Sequence, residues 1–119
     1  MNKVLLIGRL TRDPELRYTS GDQKAVCKFT LAVNRPGRDA GADFIRIQVW
    51  ERSAENCEKY LRKGSMVGID GRITTSQYEK DGKKLTLTEV RADRVDFLTV
   101  ATPDDKPETF QEIQEELPF

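Results

Sequence analysis

The sequence predicts an all-β fold: a five-stranded Greek-key barrel with one helix between the third and fourth strands, followed by a disordered acidic tail. Three observations predict it. Five runs carry the strand pattern of alternating or β-branched apolar residues, and only one stretch has helical period. That stretch falls between the third and fourth runs. The fourth run is long and holds Gly68 and Gly71, where a barrel strand can bend. An open sheet with one helix is the alternative architecture.

The first run, Lys3 to Leu10, is apolar and ends past Gly8-Arg9. Asp13-Pro14-Glu15 breaks the pattern and Ser20-Gly21-Asp22 marks a turn. From Val26 to Asn34, Cys27, Phe29, Leu31 and Val33 point one way and Lys28, Thr30, Ala32 and Asn34 the other, as in a half-buried strand. A loop over 35–43 contains Pro36, Gly37 and Gly41, and alternation resumes from Phe44 to Trp50. The period then changes. Ala54, Cys57 and Leu61 are spaced to share one helix face over Ser53 to Lys63, with Ser53 as N-cap and Gly64 as the stop. Met66 to Tyr78 is the long fourth strand and Asp81-Gly82 a hairpin turn. Lys84 to Val90 is the fifth strand, and Val95 to Val100 extends the pairing. This order suits the OB-fold.

The chain has 119 residues, enough for one domain that buries roughly two-thirds of its unfolded surface. Lys and Arg number 20, Asp and Glu 20, and the balance is uneven. Residues 101–119 hold six acids and one base, so the first hundred residues carry +5 and the last nineteen −5. The boundary therefore falls between a basic body, 1–100, and an acidic tail, 101–119, too poor in apolar residues to fold alone. Histidine is absent, which excludes Ser-His and Cys-His nucleophiles. No phosphate loop of GxxxxGK type and no metal-ligand spacing occurs, so neither an enzyme nor a cofactor is expected. Cys27 and Cys57 read as core residues. No signal peptide or membrane-length apolar segment is seen, which points to the cytoplasm and, for a nucleic-acid binder, the nucleoid.

The chemistry concentrates on the polar parity of two strands. Ile45, Ile47 and Val49 form the core face of the third strand, which leaves Phe44, Arg46, Gln48 and Trp50 on the other. On the fourth strand Val67, Ile69 and Ile73 share one parity, and Asp70, Arg72, Thr74, Ser76 and Tyr78 the other. Lys80, Lys83 and Lys84 cluster at the hairpin tip. Large rings beside cations make a surface on which bases stack while phosphates are neutralised. The same rings could instead be covered by a loop, the helix or a subunit interface.

The chain resembles the bacterial single-stranded DNA-binding proteins over essentially its whole length. The resemblance runs through Asn2-Lys3-Val4-Leu5-Leu6-Ile7-Gly8-Arg9-Leu10, Asp13-Pro14-Glu15-Leu16-Arg17-Tyr18 and Leu31-Ala32-Val33-Asn34-Arg35. It continues through Ala54-Glu55-Asn56 and Tyr60-Leu61-Arg62-Lys63-Gly64-Ser65 to Val67-Gly68-Ile69-Asp70-Gly71-Arg72. It implies an OB-fold, a homotetramer and sequence-independent binding of single-stranded DNA. It puts base stacking at Phe44, Trp50 and Tyr78 and backbone contacts at Lys3, Arg46, Arg62 and Lys63. Charge and strand parity add Arg35, Arg52, Arg72, Lys83 and Lys84. Gly37 stands where some relatives have a large aromatic, and Thr74 and Ser76 where arginines can stand, which predicts weaker binding or a different wrapping mode.

The end of the chain, Glu115-Glu116-Leu117-Pro118-Phe119, resembles the family's acidic tip, which recruits replication, recombination and repair proteins. Two apolar side chains and a carboxylate suit a small pocket rimmed by basic residues. Two other functions fit the residues: an RNA-binding OB module of the cold-shock kind, and a protein scaffold whose aromatics fill an interface.

Overall fold

A computed structural model describes residues 1–38 and 40–99. The elements are β1 (Val4–Leu10), β2 (Glu15–Tyr18), β3 (Ala25–Asn34), β4 (Ala42–Trp50), α1 (Glu51–Tyr60), β5 (Met66–Lys80) and β6 (Lys83–Phe97). The acidic tail expected from residue 101, with its tip at Glu115–Phe119, lies outside the described residues.

Five strands close into a ring. β1 pairs with β5, β5 with β6, β6 with β4, β4 with β3, and β3 returns to β1 at Arg9↔Ala32 and Leu10↔Leu31. Every pairing is antiparallel except β4 with β6, which run parallel at Ile47↔Val90 and Gln48↔Arg91. A parallel pair needs a long crossover, and α1 with β5 supplies it. This is the expected barrel, helix included.

β2 is an addition to the five expected strands. Its four residues pair with the start of β3, where Leu16 faces Cys27. So short a run shows no alternation of its own, and the ladder to β3 makes it a strand.

The core follows the predicted parity. Cys27, Phe29 and Leu31 of β3 are paired with Val49, Ile47 and Ile45 of β4. Val67 and Ile69 of β5, Val90 of β6 and Leu10 join them, and Ala54, Cys57 and Leu61 close one end. Burial pushes the Cys27 thiol up to about 11 and the Cys57 thiol up to about 12, so both stay neutral near pH 7 and act as small apolar groups.

The helix starts earlier than expected. It spans Glu51–Tyr60, and Ser53 lies in its first turn instead of capping it. Trp50 holds the cap position with no side-chain hydrogen bond to the helix N-terminus. The cause is tertiary. Trp50 is still paired to Val26, and Glu51 turns the chain at φ 60, so the helix must begin at once.

β5 and β6 slip in register between Asp70 and Gly71. Asp70 faces Arg94 but Gly71 faces Ala92, which leaves Asp93 as the extra residue of a bulge. A Cβ on Gly71 would fall on the Arg91 carbonyl oxygen, so only glycine fits that crossing. Past the β4 contact at Val90 the two strands pair only with each other and run out as an arm to Asp81-Gly82, whose φ values of 55 and 77 suit a two-residue hairpin turn. Ile73, on core parity, is exposed where the arm leaves the barrel wall, although its partner Val90 is buried in the core.

Candidate nucleic-acid interface

The outward face of β4 carries Phe44, Arg46, Gln48 and Trp50. Their neighbours on β3 are Ala32, Thr30, Lys28 and Val26. Across the parallel seam Gln48 adjoins Arg91, which itself faces Arg72. Thr74 is opposite Glu89, and Tyr78 is opposite Leu85 on the arm. One continuous outer surface therefore runs from β3 to β5.

No predicted stacking ring belongs to the core cluster. Phe44 is 69% exposed and Tyr78 44%. Trp50 is half-buried and held from two sides. Its Nε1 donates to Gln48 Oε1 at 2.7 Å, and the Arg91 guanidinium sits 4.8 Å from its ring centre. A ring fixed by a hydrogen bond and a cation loses little rotamer freedom when a ligand arrives.

A polar seam holds this face together. Gln48 Nε2 donates to Thr74 Oγ1 and to Glu89 Oε1, both at 3.4 Å. The Glu89 carboxylate is buried, and Lys28 Nζ lies 3.7 Å from it. A buried carboxylate needs such partners, and these supply them.

The predicted cations divide into two groups. Arg46, Arg52, Lys63, Lys83 and Lys84 have no side-chain ion pair or hydrogen bond among the described residues. The others are engaged. Lys3 pairs with Asp70, and Arg35 meets Asp43 through Nε at 2.9 Å and Nη2 at 2.8 Å. Arg62 donates to the Glu58 and Leu61 carbonyls, and Arg72 lies 3.9 Å from Asp93. Arg46 lies in the Phe44–Trp50 row, and Arg52 follows it into α1. Lys83 shares the arm face of Tyr78, but Lys84 faces Glu79 on the opposite side. Lys3 sits beside β5, and Arg62 and Lys63 sit in the turn after α1, where the Lys63 backbone N–H donates to Asp13.

Three residues of this face escaped the sequence reading: Lys28, Glu89 and Arg91. Alternation already turned Lys28 outward. Glu89 and Arg91 share the parity opposite Val90, but nothing local shows that β6 lies against β4.

A model of the Single-strand binding protein family matches residues 1–98. The chain is similar to Single-stranded DNA-binding protein 3 of Listeria innocua, 52% identical over 103 residues, which cover 82% of this chain and 64% of that protein. It is similar to the Single-stranded DNA-binding protein of Oceanobacillus iheyensis, 54% identical over 103 residues, covering 82% and 63%. It is also similar to Single-stranded DNA-binding protein 3 of Clostridium acetobutylicum, 51% identical over 102 residues, covering 82% and 71%. The chain spans less than two-thirds of the length of the first two relatives.

Proposed function

The chain belongs to the single-strand binding protein family, and on that premise we propose that it binds single-stranded DNA without regard to sequence. It coats exposed strands in the cytoplasm, shielding them during replication, recombination and repair, and catalyses nothing. The carrying observation is the outward placement of Phe44 and Tyr78, with Trp50 on the same strand face as Phe44 and held beneath the Arg91 guanidinium. Bases stack on such rings whatever their identity, and cations take the phosphates.

Oligo-dT, oligo-U and duplex DNA of equal length, competed for the protein in fluorescence anisotropy, test the proposal. The expected order places oligo-dT first and the duplex last by a wide margin. A clear preference for oligo-U would install the RNA-binding reading in its place.

In this reading residues 1–100 form the DNA-binding domain, with stacking at Phe44, Trp50 and Tyr78. The protein works as a homotetramer. The outer row of β1 supports self-assembly: Leu5 is 71% exposed and Ile7 55%, with Leu98 near them. Isolated apolar side chains on a surface are ordinary, but a contiguous row marks an interface. Residues 101–119 serve as a recruiting tail, with Glu115, Glu116, Leu117, Pro118 and Phe119 taken by replication, recombination and repair proteins. Deleting Leu117 to Phe119 is expected to abolish co-purification of such proteins and to leave oligo-dT affinity equal or higher. Undiminished co-purification would remove the recruiting role.

A further inference from the structure

Arg91 is the least explained charge on the outer face. Its guanidinium lies over the Trp50 ring at 4.8 Å, and among the described residues it makes no ion pair and no hydrogen bond. A guanidinium over a ring satisfies its face and leaves the N–H donors at its rim unused. Those donors border a cleft lined by Trp50, Arg52, Ser53, Arg72 and Arg91, with Glu51 and Asp93 on its wall. Arg72 is the register partner of Arg91, and Arg52 is two residues past Trp50. Asp93 offsets only Arg72, and at the long distance of 3.9 Å. Three guanidinium groups thus converge on one open cleft beside a stacking ring, and two of them, Arg52 and Arg91, make no ion pair or hydrogen bond among the described residues. Trp50, Glu51 and Arg91 also line a second cleft, with Thr19, Ser20, Asp22 and Lys24.

Resting on the single-stranded DNA reading above, we propose that Arg91 binds a backbone phosphate of the strand in the Arg52–Arg72–Arg91 cleft. Trp50 and Arg91 act as one unit: the ring takes a base on its open face and the guanidinium takes the adjoining phosphate. Arg91 is then a strand-binding residue as well as a support for the indole. Gly71 contributes by letting the Arg91 backbone approach β5 closely, which sets the guanidinium at this place.

Arg91→Ala and Arg91→Lys test this in the full chain, with oligo-dT titrated over a range of salt concentrations. The side chain is half-exposed and makes no hydrogen bond, so both variants are expected to fold, and a thermal melt verifies it. Arg91→Ala should bind roughly tenfold more weakly at low salt. Its slope of log affinity against log salt should be shallower by about 0.7, the share of one phosphate on a single strand. Arg91→Lys should keep the wild-type slope. A support role alone would alter Trp50 emission while leaving the slope unchanged, and that result in Arg91→Ala overturns the phosphate contact. Should the unaltered protein fail to bind oligo-dT, the single-stranded DNA reading falls first and takes this inference with it.

Discussion

Phe44→Ala is expected to weaken oligo-dT binding by about 5- to 150-fold, because stacking of one base on one ring contributes roughly 1–3 kcal/mol. The side chain is 69% exposed and outside the core cluster, so its loss leaves folding stability nearly unchanged. Stacking involves no counterion. The loss should therefore be the same factor at every salt concentration, and Phe44→Tyr should restore most of the affinity. Trp50→Ala should do more. It removes a ring and also the surface on which Arg91 rests, so both the affinity and the salt dependence fall. Phe44 and Trp50 stand about 20 Å apart along an extended strand, so the two losses should add in the double variant, to roughly 2–6 kcal/mol. Equilibrium titrations with oligo-dT check each value. Wild-type affinity in Phe44→Ala would mean that Phe44 contacts no base.

The second large effect concerns assembly. Leu5→Lys together with Ile7→Lys is expected to lower the particle from the proposed four chains to one or two, as read by light scattering. Burying a Leu or Ile side chain contributes about 1.5–3 kcal/mol, and a symmetric assembly counts each one once per chain. A lysine at either place adds the cost of desolvating a charge. Both side chains point out of the barrel in the single chain, so the fold survives the exchange. The Phe44 row lies on another part of the barrel, and a short oligo-dT that spans one subunit should still bind. An unchanged particle mass would place the subunit contact elsewhere.

Much of this molecule was legible from local pattern. Alternation in 26–34 and 44–50 assigned Cys27, Phe29, Leu31, Ile47 and Val49 to the core, since a strand has only two faces. Helical spacing found Ala54, Cys57 and Leu61, and Asp81-Gly82 announced its turn. What failed depended on distant pairing. β2 exists through its ladder with β3. The start of α1 depends on Trp50 still being held by β3, which no N-cap rule could report. Parity placed Ile73 inward but could not say where the barrel wall ends. Within the candidate site, parity brought out Phe44, Arg46, Gln48 and Trp50, but the parallel contact of β4 with β6 brought Arg91 to Trp50. That contact joins segments some forty residues apart and leaves no trace in either.

Titrating the protein with oligo-dT at low salt while following the emission of Trp50, its only tryptophan, tests the central claim most directly. A base lying on the indole should quench that emission steeply until the sites are filled, and Arg91→Ala should weaken the titration without removing the quench. Emission that stays level through saturating oligo-dT would contradict the claim that this ring receives a base.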